Sequence, residues 1–354
     1  MSELRTGLTT GTCAAAASKA AVLLLSGVGP AEHVEVTLPD GEVVSVEVEA
    51  MSFDSGVGCA GVCKDAGDDP DITNGAHVVA EAVWQDGSEI TLRAGEGVGR
   101  VTLPGLQVSP GEPAINPVPR RMIAQAVREV TERGVCLTIS IPGGRELAAR
   151  TFNPRLGIEG GLSILGTTGR VRPFSCEAVR ETIRCALDVL AANGSRRVVL
   201  TPGHIGERAA RRHFALQERE VVEVSNDWGS TMCLIAERPF EQVLVVGHPG
   251  KLAKLCAGQW DTHSSRSDSA LPVVTDLAER LLGRVPEESR TVEGLFQGLP
   301  VEESARLGNE LARLVRLQVG SRLGEKAGTA VVLVDMQGEI LGRDGDWTVW
   351  KPVE

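Results

Sequence analysis

The chain has 354 residues, enough for two domains of ordinary size, so a single small module is excluded. Apolar residues make up 42% and charged residues 23%, which supplies a core and excludes global disorder. A formal charge of −11, with six Phe, five Trp and no Tyr, argues against nucleic acid as a partner, because phosphate neutralisation and base stacking both lack material.

In chain order, Thr12 is the expected N-cap of an Ala-rich helix running to about Leu25. Alternating apolar runs at 34–38 and 43–48 flank Pro39-Asp40-Gly41 and predict an antiparallel hairpin. Alternation at 90–92 and 136–141 adds strands, and Pro119 opens a helix that Gly134 closes. Residues 1–150 therefore read as an α+β domain. The rhythm then changes. An apolar run at 162–165 precedes a helix over 176–193, flanked by Ser175 and Gly194, with the stripe Val179, Ile183, Ala186, Leu187 and Leu190. Strands at 198–201, 221–225 and 242–246 alternate with helices at 207–216, 230–238 and 251–257. Short apolar strands alternating with helices predict a doubly wound parallel α/β domain, Rossmann-like, over 151–354. Its tail is a helix with a stripe at Leu307, Leu311, Leu314 and Val315, then a hairpin over 331–341 around Gln337-Gly338, packed on one of the two domains.

The longest apolar stretch, 13–25, is interrupted by Ser18 and Lys19 and is short of the roughly 20 residues a bilayer span requires. No signal-peptide pattern opens the chain. Eight Cys without the spacing of a disulfide scaffold point to a reducing compartment. A cytoplasmic protein with no membrane partner is expected, its oligomeric state left open, a homo-oligomer included.

Ligands of open parallel sheets bind beyond the carboxyl ends of the strands. The corresponding loops read Gly166-Thr167-Thr168-Gly169, Thr201-Pro202-Gly203-His204, Ser225-Asn226-Asp227-Trp228-Gly229 and Gly247-His248-Pro249-Gly250-Lys251. Each joins Gly to polar side chains, and three lead into a helix N-terminus. Other signals fail. Gly95-Glu96-Gly97-Val98-Gly99 precedes a strand-like segment where a dinucleotide fingerprint needs a helix, and Leu252 stands where a phosphate loop needs Ser or Thr. The acidic run Asp65, Asp68, Asp69, Asp71 lacks the bidentate Glu of a calcium loop, which leaves Asp65 as a candidate for substrate positioning. Cys59 and Cys63 have no second pair at zinc spacing, so no protein-bound metal is expected. No nucleophile elbow is present. General-base candidates are His204, His248 and His263, because imidazole titrates near neutral pH.

Five segments in order carry a resemblance: Thr9-Thr10-Gly11-Thr12-Cys13-Ala14; Val62-Cys63-Lys64-Asp65-Ala66-Gly67-Asp68-Asp69; Gly111-Glu112-Pro113-Ala114-Ile115-Asn116-Pro117; Ile158-Glu159-Gly160-Gly161-Leu162-Ser163; and Gly247-His248-Pro249-Gly250-Lys251-Leu252. Together the sequence resembles the CbiD family, the cobalt-precorrin-5B C(1)-methyltransferases of anaerobic cobalamin biosynthesis. Departures are small: Leu8 stands where the family usually has Tyr, Asn74 and His204 where it often has His and Asn, and Cys176 where it has a more polar residue.

The resemblance implies methyl transfer from S-adenosylmethionine to ring carbon C-1 of a cobalt-containing polycarboxylate macrocycle, the metal arriving with the substrate. It implies cofactor contacts at Gly166, Thr167, Thr168, Gly169, Thr201, Gly203, Ser225 and Asn226. Substrate contacts would come from Thr9, Thr10, Thr12, Lys64, Asp65, Arg155, Lys251 and Lys254, with Arg120, Arg121, Arg170 and Arg172 as further basic candidates. On this reading the donor occupies the second-domain loops and the macrocycle lies toward the 9–12 segment. Two other readings stay open: a noncatalytic carrier of tetrapyrrole intermediates, and a nucleotide-dependent transferase with Lys251 on the phosphates.

Overall fold

The computed structural model describes residues 4–173, 175–284 and 289–353. It divides into two compact units, 1–175 and 176–354.

The first unit opens with β1 (Gly7–Leu8) and α1 (Thr10–Leu25). The N-cap of α1 is Thr9, not Thr12: the Thr9 side chain accepts from Thr12 N. Because α1 is rich in alanine, it is buried around almost its whole circumference, sandwiched between a sheet and a second helix. The hairpin β2 (His33–Thr37) and β3 (Val43–Glu47) forms as expected. Three strands without a clear sequence signal follow, β4 (Ala50–Asp54), β5 (Val57–Cys63) and β6 (His77–Gln85), then β7 (Ile90–Ala94) and the short β8 (Arg100–Val101). Helix α2 (Pro117–Arg128) ends before Gly134, which opens β9 (Gly134–Ser140) rather than closing a helix. The turn α3 (Gly144–Ala148) and short strands β10 (Ile158–Glu159) and β11 (Arg170–Val171) complete the unit.

The main sheet runs β4-β5-β6-β9-β7, antiparallel except for β7 beside β9. Val62, Val78, Ala80 and Ala82 face the core with α1 and α2. At Gly58 a Cβ would meet Ala21 O of α1 at 2.2 Å, so glycine is required where helix and sheet approach most closely.

Residues 151–175, which the sequence reading places in the second domain, pack with this first unit. Strand β10 pairs with β8, and β11 pairs with β1. The 162–165 run is likewise no strand of the second sheet; Leu162 bridges Val98 and Ile164 bridges Ile115.

The second unit contains α4 (Cys176–Ala192), β12 (Arg197–Thr201), α5 (His204–His213), β13 (Val221–Glu223), α6 (Trp228–Ala236), β14 (Gln242–Gly247) and α7 (Pro249–Cys256). Then come α8 (Leu271–Leu282), α9 (Val292–Gln297), α10 (Val301–Leu323), β15 (Gly328–Val334) and β16 (Ile340–Asp344). The sheet order is β13-β12-β14-β15-β16, parallel through β15, with β16 antiparallel. The tail joins the second sheet: β15 is the fourth strand and pairs with β14 along six residues.

Alternate residues of these strands enter two different cores, as expected when both faces are covered. Val198, Leu200, Val243, Val245, Val331 and Leu333 pack with α4, α6, α7, α8, α9 and α10. Val199, Leu244, Val246, Ala330, Val332 and Val334 pack with Ala209 and Ala210 of α5 and with Phe214 and Trp350. The molecule is therefore mixed α/β, with one largely antiparallel and one largely parallel sheet. Among the described residues no helix is long and apolar enough to cross a membrane.

Candidate functional site

In the second unit the strand order reverses direction of growth between β12 and β14, and the crevice beyond their carboxyl ends is the place such sheets offer a ligand. Two loops meet there. A Cβ on Gly247 would come within 2.6 Å of the Pro202 ring, so glycine lets the loop after β14 close on the loop after β12. Lys251 Nζ donates to Pro202 O at 3.1 Å and ties them. Burial lowers the pKa of Lys251, the charge on Lys254 adds to this, and the Glu223 carboxylate opposes it. Glu223 closes β13, the strand next to β12, and its Oε1 lies 3.7 Å from where a Cβ on Gly203 would stand.

The loop after β13 is held in a fixed shape. Ser225 takes a positive φ of 54°, uncommon for a residue with a side chain. Asn226 O accepts from Thr262 N at 3.0 Å, and Asn226 Oδ1 accepts from Thr262 Oγ1 at 3.3 Å. Asp227 caps α6 by accepting from Ser230 N at 3.3 Å, and its carboxylate pairs with Arg180 of α4 at 2.5 Å. The hydrogen bond from Arg266 holds the Asp261 carboxyl below its usual range.

The three candidate histidines differ. His248 is the N-cap of α7: its Nδ1 accepts from Gly250 N at 2.9 Å, so its Nε2–H donates to Glu293 Oε2, also at 2.9 Å. Both ring nitrogens are committed, which suits a positioning group and not a general base. His263 Nδ1 meets Ser265 Oγ at 2.8 Å and Ser265 N at 3.2 Å in a local turn. His204 opens α5 and is exposed. Thr201 is fully buried under α5, and its hydroxyl has no partner among the described residues. Lys254 is buried as well, donating to Thr262 O at 3.2 Å and Ser267 Oγ at 2.8 Å, where it pins the 262–267 loop.

In the first unit, the segments around 9–12 and 163–170 come together. Gly166–Gly169 therefore lie with Thr9, Thr10 and Thr12 in the first unit, while Thr201, Gly203, Ser225 and Asn226 belong to the second. Thr12 Oγ1 donates to Gly169 O at 2.7 Å, Thr10 Oγ1 donates to Leu165 O at 3.2 Å, and Thr9 N donates to Gly169 O at 3.1 Å. The three threonines are buried; the Thr10 and Thr12 hydroxyls stitch two chain segments together and the Thr9 hydroxyl caps α1, while Thr167 and Thr168 are exposed at the tip. Thr12→Val, nearly isosteric, is expected to cost about 1–3 kcal/mol by removing the bond to Gly169 O and the Thr12 partner of the buried Thr9 hydroxyl. Urea unfolding would read this as a lower midpoint at unchanged slope.

Lys64 is only 1% exposed and pairs with Asp71 at 2.7 Å. Asp65 pairs with exposed Arg5 and accepts from Gly67 N at 2.9 Å. Arg155 stacks over Phe152 at 5.6 Å, Arg170 pairs with Glu42 at 2.5 Å, and Arg121 and Arg172 are exposed. A cleft of about 400 Å³ in the same unit is lined by Arg93, Arg100, Arg120, Thr91 and Glu112, among others. Arg120 is braced there by Nε donating to Ile115 O at 2.7 Å, and Arg100 by Nη1 donating to Gly111 O at 3.2 Å. Sequence reasoning had Arg120 but missed Arg93 and Arg100, which reach the cleft from the successive strands β7 and β8.

The chain thus contains a covered parallel sheet with polar loops at its carboxyl edge and a largely antiparallel unit bearing an arginine-lined cleft, the build of a mixed α/β protein. Residues 1–173 match the model of the CbiD family and residues 261–345 that of the CbiD C-terminal domain. The chain belongs to the CbiD family. It is 53% identical over 352 residues, 99% of this chain and 100% of the relative, to the cobalt-precorrin-5B C(1)-methyltransferase of Syntrophotalea carbinolica. Identity is 42% to the protein of the same name from Moorella thermoacetica, covering 98% of each chain. A crystal structure of the cobalamin biosynthesis protein (cbiD) from Archaeoglobus fulgidus is 32% identical, with a TM-score of 0.41 over 74% of this chain and 83% of that one.

Proposed function

We propose that this chain methylates ring carbon C-1 of cobalt-precorrin-5B, with S-adenosylmethionine as donor, giving cobalt-precorrin-6A and S-adenosylhomocysteine. The observation that carries the reading is identity of 53% across 99% of the chain with a relative of that name.

The donor is assigned to the carboxyl edge of the second sheet, used in Rossmann-like fashion. Support comes from the residues there. Gly203 leaves room beside Glu223, and an acidic side chain ending the strand after the first glycine-bearing loop is suited to accept hydrogen bonds from ribose hydroxyls. The Gly203 and His204 N–H groups at the start of α5 are suited to meet the carboxylate of the methionine part. When bound, S-adenosylmethionine supplies a sulfonium methyl whose bond to sulfur breaks as the bond to C-1 forms. The chain need not furnish a nucleophile. Its contribution is to hold the ring carbon in line with that methyl, and such positioning is worth on the order of 7–11 kcal/mol in favourable cases. Arg93, Arg100 and Arg120 are suited to grip macrocycle carboxylates, which an otherwise acidic protein must meet with local positive charge.

The test is anaerobic incubation of purified protein with cobalt-precorrin-5B and S-adenosylmethionine, followed by mass spectrometry and NMR of the macrocycle. One methyl gained at C-1 is the expected result. Macrocycle bound without methyl gain would favour a carrier. Stabilisation by ATP and not by S-adenosylmethionine in thermal unfolding would favour a nucleotide-dependent enzyme.

A further inference from the structure

Glu49 precedes β4, Cys63 closes β5 and His77 opens β6, so three different metal-ligating side chains arrive at one end of the first sheet. Cys63 and His77 are direct cross-strand partners. Lys64 N donates to Ala76 O at 2.9 Å, and the adjoining Cys63–His77 pair is then of the kind without mutual backbone bonds, in which facing side chains approach most closely. Glu49 N donates to Gly61 O at 3.0 Å, which sets its carboxylate beside the same strand end. Glu49 Oε2 lies 3.3 Å from His77 Nδ1, and the carboxylate, thiol and imidazole ligand atoms all lie within 4.8 Å of one another.

We propose that Glu49, Cys63 and His77 bind one divalent transition-metal ion of the zinc type, with water completing the coordination. The donor set is one sulfur, one nitrogen and one oxygen. It suits a borderline-soft ion and disfavours magnesium and calcium, which take oxygen ligands. Donors of a tetrahedral zinc stand roughly 3.3–3.8 Å apart, given bond lengths of about 2.0–2.3 Å. Closing from the observed spacing requires only side-chain rotation, which Glu49 and His77 are exposed enough to make, at 42% and 59%. Burial raises the Cys63 pKa, and the Glu49 and Asp65 carboxylates raise it further; a dication bound directly to sulfur reverses that preference and takes the thiolate. The ion would clamp β4, β5 and β6 just where the chain leaves the sheet for the Lys64–Asp71 loop. No sequence spacing announces the site, because its ligands are brought together by strand pairing.

The experiment is titration of the chelator-treated full chain with Zn²⁺ by calorimetry and with Co²⁺ by absorption. One ion per chain is expected, with a thiolate-to-cobalt charge-transfer band and a rise in unfolding temperature on adding Zn²⁺. Cys63→Ser is expected to abolish the band and weaken Zn²⁺ binding at least about tenfold, and His77→Gln to weaken it by about 10–100-fold, a range typical of lost support at metal sites. Cys59→Ser, on the same sheet face, keeps the band. Circular dichroism and unfolding of the metal-free variants check that all three remain folded. Absence of the band in the wild-type protein overturns the proposal, and so does a band of full strength in Cys63→Ser.

Discussion

Glu223→Gln is expected to raise KM for S-adenosylmethionine by roughly 10–150-fold while kcat changes little. The carboxylate at the end of β13 stands beside Gly203 of the loop after β12, the place assigned to the ribose of the donor. A hydrogen bond to a charged group is worth about 1.5–3 kcal/mol, which sets the range. An interaction made equally in the ground and transition states appears in KM and not in kcat. The substitution keeps shape and removes charge from a half-buried side chain at the sheet edge, so the fold should be retained. Steady-state kinetics at saturating macrocycle, with calorimetric binding of S-adenosylhomocysteine, read the effect. A fall in kcat at unchanged KM would instead put Glu223 against the reacting macrocycle, and an unchanged enzyme would move the donor to another edge.

That Glu223 escapes a reading of the sequence has a physical reason. It lies about twenty residues beyond the 201–203 loop, the offset at which an acidic residue meets a ribose in dinucleotide folds. The sequence lacks the glycine fingerprint that would have drawn attention to that offset, although strand β13 itself was legible. The second unit was largely readable because its strands are buried on both faces and stand out as apolar runs. Its terminal helix and hairpin form as expected, but a hairpin pattern gives no clue that β15 also pairs with β14 across a long stretch of intervening chain.

The first unit was harder. β5 contains two glycines, two cysteines and an alanine, so its residues facing the core are no more apolar than those facing away, and alternation disappears. For the site, residue type was a weak guide to role. Thr12, Lys64 and Lys254 carry the groups a ligand would need, yet their polar atoms are satisfied inside the protein. His248 had a readable signal: a polar residue before Pro249, followed by Gly250, at the start of a helix, is an N-cap pattern.

Lys64→Met separates a substrate contact from a structural pair. Lys64 is buried against Asp71 at 2.7 Å, and Asp71 also accepts from Thr73 N at 2.8 Å and Thr73 Oγ1 at 2.7 Å. Removing one partner of a buried pair costs about 3–5 kcal/mol, because the other charge is left without compensation. Asp71 keeps 24% of its side chain exposed, so the lower end, about 3 kcal/mol, is expected. For a unit of this size that is a fall in Tm of roughly 6–12 °C. The pH dependence follows from the carboxyl. Burial alone would raise the Asp71 pKa, but the hydrogen bonds from Lys64 and Thr73 outweigh it and hold the group below its ordinary value. A carboxylate depressed in the folded state contributes its full stabilisation above the unfolded pKa, about 4, and loses it as pH falls through the folded value. The gap in Tm between wild type and Lys64→Met should therefore be widest at neutral pH and narrow below about pH 4. Calorimetry across that range reads it, alongside KM for the macrocycle. A lowered Tm with KM unchanged assigns Lys64 to the scaffold. A raised KM with Tm unchanged would return it to the substrate, and would mean that the loop carrying Asp71 opens to expose it.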